Sequence, residues 1–426
     1  MQNVKSGRTI IFSYICVSTT SGHMRHLDPS IAFEKQLGKQ IYKALQGSVV
    51  EKILASAKLS SSDDYWRNIM EGHSLKIEES LLKDLYVLCT SVQEKLGFKE
   101  PVDYYVTGDA SVNAFSVSAE QEGKPHIVNI NSSLIGLMSE SELRFVVGHE
   151  LGHLINRDTA LKRLIHFVFP QNCSNIPLTL QFKIRLHDQL AELVADRYGL
   201  MATEDEDACI TALYKLASGL DLGKMNVAMD VLVQQNNKRL DYFLHDKGTS
   251  QASHPVNPVR VQALHLFANA AGEKALEDGM KPLIEILTKL GNSPLDEKMA
   301  VFFAAGGLIA AGVDEDINAK ELEQILDSLS ALTIFPRAFL EDIAGQDVGK
   351  VFTETSTAIL ESDPGMRVPM LQYFIAIALA DREISQKEVS LVYDYGKNLG
   401  FTEKEISTHF AAMIQRGFVP ELEAIS

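Results

Sequence analysis

The sequence predicts an α+β protein that is mostly helical, with a small β-sheet near its middle and an all-α, internally duplicated domain at its C-terminal end. Three observations carry this expectation. Apolar residues recur at spacings of three and four over most of the chain. Short runs of β-formers bounded by turn residues are confined to about residues 101–130. An acidic motif that begins at Asp314 returns sixty-seven residues later at Asp381.

A chain of 426 residues exceeds what one hydrophobic core usually spans, so two or three domains are expected. Apolar residues at 46% and charged residues at 23% exclude collagen-like, mucin-like and wholly disordered classes. Forty basic residues against fifty-six acidic ones give a net charge of −16, with no basic patch. Phosphate backbones would repel such a chain, so nucleic acid is not an expected partner. The four cysteines, Cys16, Cys89, Cys173 and Cys209, lie far apart and form neither a disulfide framework nor a thiolate metal site.

Taken in order, residues 1–75 read as an N-terminal helical extension without a motif. Ile10–Val17, after Lys5 and Arg8, is a short apolar run that only weakly resembles an export signal, so a cytoplasmic protein is expected, with export as the alternative. Residues 30–100 carry helical spacing (Ile41, Ala44 and Leu45; Leu82, Leu85 and Leu88), broken at Ser60–Asp64. Val102–Thr107, Ala114–Ser118 and His126–Ile130 read as strands, the last two joined through a turn at Gly123. From Asn131 onward the pattern is helical, with a boundary near Ala271–Pro294. The expected domains are therefore 1–75, 76–270 and 295–420. The longest uncharged apolar run, Met299–Val313, is fifteen residues long. A spanning helix needs about 18–20, so this run reads as a core helix and no integral membrane segment is expected.

Chemistry concentrates in the helix after Ser139. Ser139-x-x-Glu142 is a capping box, Leu143, Phe145, Val146 and Val147 make the next turn apolar, and His149-Glu150-Leu151-Gly152-His153 follows. Residues four apart share a helix face, so both imidazoles can reach one metal ion. Glu150 lies beside that face, where it can take a proton from water without being a ligand. An apolar helix would otherwise bury two unpaired imidazoles and a carboxylate at high cost.

A catalytic zinc needs a third protein ligand and an open position. Thirty-nine residues after His153, Glu192 and Asp196 again lie four apart, on a helix made apolar by Leu190, Leu193, Val194 and Ala195. Glu192 can supply the third ligand, and Asp196 can accept the second N–H of a ligand histidine.

His149-Glu-Leu-Gly-His153, then Asn156-Arg157-Asp158-Thr159, then Glu192-x-x-Ala195-Asp196, then Ser253-His254-Pro255 with Arg260 and Leu264, closely resembles the HtpX-type and CAAX-prenyl-protease-type zinc metallopeptidases, metallopeptidase family 48. The resemblance runs from about Leu81 to Leu266. It implies a gluzincin fold and endopeptidase activity on unfolded or extended polypeptide. One Zn²⁺ per chain is implied, on His149, His153 and Glu192, with Glu150 as general base and with Asp196 and Arg260 behind the ligands. It also implies that His254 stabilises the oxyanion, although Pro255 would equally place that histidine at a turn or helix start. Asn113-Ala114-Phe115-Ser116 fits the family's strand beside the cleft, to which substrate adds as a further strand. The membrane-spanning segments of many relatives have no counterpart between His153 and Glu192, so their membrane substrates do not carry over.

The paired acidic motifs resemble TerB-like domains. That likeness implies a cation or protein-partner site at Asp314, Asp316, Asp381 and Glu383. The same stretches, Asn318-x-x-Glu321 and Ser385-x-x-Glu388, are also capping-box patterns, so the acids can cap helices and the two readings can coexist. The expected protein is a zinc endopeptidase whose C-terminal module recruits or regulates. The alternative is a stress-associated binding module with a latent or structural zinc site.

Overall fold

The computed structural model describes residues 27–56, 62–120, 123–169, 176, 178–245, 254–288, 294–312, 319–332, 335, 337–379 and 385–417. The N-terminal part forms α1 (Ala32–Ala44), α2 (Gly47–Ser56) and α3 (Ser62–His73). Ser62 and Asp64, expected in a break, instead open α3. A two-residue strand follows, β1 (Leu75–Lys76), and then α4 (Lys83–Lys95). Nothing in the sequence marked β1, because two residues cannot show an alternation.

The three expected strands are present as β2 (Val102–Thr107), β3 (Ala114–Val117) and β4 (His126–Asn131). The sheet order is β1-β2-β4-β3, with β3 and β4 antiparallel and β2 and β4 parallel. Gly123 has φ +81°, which a left-handed turn residue between β3 and β4 requires. β4 is buried along its whole length, and β3 is left as an edge with one side unpaired within the sheet.

After α5 (Ser132–Leu137) comes α6 (Glu140–Asn156), packed against β3 and β4. Its capping box closes both ways: the Ser139 N–H donates to Glu142 Oε2 at 2.6 Å, and the Glu142 N–H donates to Ser139 Oγ at 3.4 Å. Glu142 also takes a 2.8 Å bond from Lys215, a buried pair that ties the start of α6 to α9 (Glu206–Ser218). At the other end Arg157 adopts φ +60°, ending α6 and starting α7 (Asp158–Val168) at an angle.

α8 (Leu178–Thr203) lies along α6 at very close range. A Cβ on Gly148 would sit 2.5 Å from the Ala202 Cβ and 3.0 Å from the Gly199 Cα, and one on Gly152 would sit 3.0 Å from the Ala195 Cα. Glycines between and beside the two histidines thus let the helix backbones approach until residues on both reach a common point. Gly148→Ala is expected to force the helices apart, lower stability by about 1–3 kcal/mol and weaken zinc binding. Thermal unfolding with and without zinc checks both effects.

The remaining catalytic-side helices are α10 (Met229–His245), α11 (Asn257–Asn269) and α12 (Glu273–Thr288). α12 occupies the stretch read as a boundary and packs on α10 and α11, with Leu276, Met280, Leu283 and Ile286 buried. The C-terminal helices include α13 (Pro294–Ala310), α14 (Ala319–Leu332), α15 (Arg337–Ala344), α16 (Val348–Ser362), α17 (Arg367–Ala378), α18 (Gln386–Asn398) and α19 (Glu403–Gly417). Their centre is aromatic: Phe302 stacks on Phe352 at 5.0 Å, and Phe374 lies 4.7 Å from Tyr395. Phe303 of α13 meets Phe182 of α8 at 6.0 Å, and α17 also touches α8, so the two parts share one apolar core.

The N-terminal segment is tied into the same body. Arg197 on α8 is fully buried, donates to the Pro29 and Ser30 carbonyls at 3.1 and 3.2 Å, and lies over the Phe267 ring. Among the described residues no helix is long and apolar enough to cross a membrane.

Candidate metal centre

α6 and α8 bring together the three residues expected to be ligands. His149 Nε2 and His153 Nε2 are 3.2 Å apart, and Glu192 oxygens lie 3.5 Å from each. Four ligands at about 2.0–2.1 Å from a tetrahedral zinc are themselves roughly 3.3 Å apart, so this triangle has the span a zinc site needs. One Glu192 oxygen, Oε2, is buried without a hydrogen bond. Two imidazole nitrogens and an unsatisfied carboxylate facing one point are costly without a cation and suited to one. The residues present therefore fit zinc.

The outer nitrogens of both histidines are held. His149 Nδ1 is 2.9 Å from Asp196 Oδ1, and His153 Nδ1 is 2.9 Å from Asp158 Oδ2. A carboxylate at Nδ1 fixes the tautomer that leaves the Nε2 lone pair pointing inward. Asp196 in turn accepts two bonds from Arg260, 2.8 Å from Nε and 2.6 Å from Nη2, in a fork that locks its plane.

Electrostatics follow from that packing. Burial alone would lower the His149 pKa, but the bond to Asp196 and the facing Glu192 carboxylate outweigh it and push it up to about 10. Burial works to raise Glu192 and Asp196, yet His149 and Arg260 hold both well below the usual carboxylate range. This pocket is built for positive charge.

His254 arrives from the segment before α11, its Nε2 3.4 Å from Glu192 Oε2 and its side chain largely exposed. Partial burial lowers its pKa, with Glu192 opposing the shift and the facing charges of Arg260, His149 and His153 adding to it, which favours the neutral ring with one N–H to donate. Glu150 is buried and lines the same cleft, a cavity of about 560 Å³. Asn113, Ala114, Phe115 and Ser116 line it as well. Apolar residues from α6 and α9, Phe145, Val146, Leu213 and Leu216, line one end, and Lys162 stands in its lining with Asp158.

Sequence reasoning brought His149, Glu150, His153, Glu192, Asp196, His254 and Arg260 to one place, and the structure places all of them there. It gave no role to Asp158. The signal was available: an acid five residues beyond a ligand histidine, just past a helix end, can fold back onto it. Behind Asp158 lies a buried cluster that sequence spacing could not show. Asn156 Nδ2 donates to Asp158 Oδ1 at 2.8 Å and to Glu34 Oε1 at 3.3 Å, while Glu34 Oε1 is 2.9 Å from His187 Nε2. Burial would lower the His187 pKa, but Asp188 and Glu34 raise it to about 9. Glu34, Asp158 and His187 could also reach one ion. Their 2.9 Å contact is nonetheless the length of a charge-assisted hydrogen bond, and a protonated His187 already satisfies Glu34 Oε1.

The C-terminal acids Asp314, Asp316, Asp381 and Glu383 lie outside the described residues. The capping reading of the second motif is visible beside them. The Ser385 N–H donates to Glu388 Oε2 at 2.7 Å, and the Glu388 N–H donates to Ser385 Oγ at 3.2 Å.

Comparison with known proteins agrees with this geometry. The model of peptidase family M48 matches residues 83–267. The plastoglobule-localized metallopeptidase 48 of Arabidopsis thaliana chloroplasts is 27% identical over 248 residues, covering 55% of this chain and 67% of that protein. Protease HtpX homologs of Thermoplasma volcanium and Picrophilus torridus are 36% and 38% identical over 67 and 68 residues, covering 16% of this chain and 21% of each of theirs. The chain thus spans between a fifth and just over a quarter of the length of the HtpX homologs it matches. The matched span holds every residue of the metal triangle and both of the carboxylates behind it: residues 83–267 form a peptidase family M48 domain.

Proposed function

We propose that this chain is a zinc-dependent endopeptidase acting on extended polypeptide. The observation that carries the proposal is the triangle of His149, His153 and Glu192, with Glu150 in the same cleft and an unpaired strand edge in its lining. His149 Nε2, His153 Nε2 and Glu192 would hold the zinc, which when bound would supply Lewis acidity in the cleft. Substrate binds as an added strand on β3, using main-chain bonds that place few demands on sequence. Glu150 takes a proton from the attacking water as the new C–O bond forms. It returns that proton to the amide nitrogen as the C–N bond breaks. His254, neutral and placed beside Glu192, donates its N–H to the developing oxyanion. Asp196 and Arg260 keep His149 in its productive tautomer, and Asp158 does the same for His153.

The C-terminal helices recruit substrate or regulate the catalytic domain. This is supported by their contact with α8, the helix that bears Glu192. The rival reading, a binding module with a latent zinc site, gives no reason for a buried carboxylate at Glu150 inside an open cleft.

The full chain, loaded with one zinc, is expected to cut an unfolded protein such as reduced, alkylated casein at internal bonds, read by mass spectrometry of the fragments. A chelator should stop cleavage and added zinc restore it. Zinc-loaded protein that releases no fragments from casein or from a random peptide library overturns the proposal.

A further inference from the structure

We propose that Trp66 and Tyr65 of α3 form a second binding site for the substrate chain, one that takes an aromatic or large aliphatic side chain at alternate positions of the bound strand. The inference rests on the reading above, in which substrate extends the sheet at β3. β3 carries two sets of side chains. Ala114 packs towards the core that contains α6, whereas Phe115 and Val117 pack with Met70, Tyr105 and Ile127 on the opposite face. α3 packs on β1 and β2 and brings the start of its helix to β3. There the Trp66 ring lies 5.3 Å from Phe115, and Tyr65 stands edge-on to Trp66 at 5.7 Å. Both are exposed: Trp66 by 36% and Tyr65 by 62%.

Contacts other than these rings also hold α3 in place. The helix is fastened by Arg67 to Asp103 at 2.9 Å and to the Pro125 carbonyl at 2.6 Å, by Asp64 to Lys124 at 2.8 Å, and by Glu71, which accepts from the Tyr105 hydroxyl at 2.7 Å. Met70 supplies the buried anchor. A tryptophan and a tyrosine left in water beside an open strand edge are therefore available for binding.

Strand addition decides what they would meet. Successive side chains of an extended chain point to opposite faces. A peptide on β3 sends one set down towards α6 and the metal centre, and the other set across Phe115 towards Trp66. Cross-strand aromatic neighbours attract each other beyond simple burial. The site therefore selects apolar residues at an odd number of positions from those that enter the cleft. It comes from α3, which lies outside the span matched to the peptidase family.

The test uses zinc-loaded full chain and a set of ten-residue peptides, identical except for phenylalanine or serine at each position in turn. Wild type should favour phenylalanine over serine at one or two alternate positions by about fivefold in kcat/KM, expressed in KM. Trp66→Ala should abolish that preference by raising KM for the phenylalanine peptides, in protein whose cooperative thermal unfolding shows that it is folded. Trp66→Phe should retain the preference. A phenylalanine preference that survives Trp66→Ala overturns the inference alone. The same holds if the substitution leaves peptide preference intact and instead splits a dimer in sedimentation, since the patch would then hold a second copy. Failure to cut any peptide removes the endopeptidase reading and this inference with it.

Discussion

Glu150→Gln is expected to cut peptide hydrolysis by about 10²–10⁴-fold while the protein still binds one zinc per chain. The amide has nearly the same volume as the carboxylate, so the buried position beside α8 remains filled. It cannot accept the proton of the attacking water, and that proton has no other carboxylate within the cleft placed to take it without giving up another task. Glu192 belongs to the metal triangle and Asp158 to His153. Metal content by atomic emission and turnover on a single peptide, measured together, separate loss of proton transfer from loss of zinc. Full activity in the zinc-loaded variant would remove Glu150 from the role of general base.

Asp196→Ala carries the second large effect, and it acts on stability and metal at once. The substitution leaves Arg260, a buried guanidinium, without its forked partner, which typically costs about 3–5 kcal/mol. It also frees His149 Nδ1, so the ring loses the bond that sets its tautomer, and zinc affinity should fall about 10–100-fold. The two losses can be told apart with the double variant Asp196→Leu, Arg260→Leu. Removing both charges should recover most of the unfolding free energy, because no charge is left stranded, but it should not recover zinc affinity. Chemical denaturation of the apo-protein and competition with a zinc chelator give the two readouts. Equal recovery of both would mean that Asp196 serves packing only.

The legible part of the site was the part written in helical spacing. His149 and His153, and Glu192 and Asp196, are pairs four apart, and a helix converts that interval directly into a shared face. Strands β2, β3 and β4 were legible through their β-formers and Gly123. What remained hidden depends on contacts between distant segments. Glu34 reaches His187 across one hundred and fifty-three positions, and no periodicity encodes such a meeting. Asp158 was quoted within a motif but needed the φ +60° turn at Arg157 to be seen folding back on His153. The roles of Gly148 and Gly152 also emerge only with the second helix in place, since a glycine in a helix is otherwise a weakness. Trp66 stood in a segment without any motif, and its position acquires meaning only from the strand edge beside it.

The tie between Arg197 and the Pro29 and Ser30 carbonyls bears on what can be cut away from this protein. A fragment trimmed to begin at Lys83, where the family match starts, would strand a guanidinium in the core, remove Glu34 from His187, and strip α3 from the face of the sheet. Each loss removes the partner that now covers or bonds a group in the body of the domain. The peptidase segment is therefore a dependent part rather than a portable one. Residues 27–56 and 62–82 behave as scaffolding that must be kept whenever the catalytic machinery is grafted, shortened or expressed by itself.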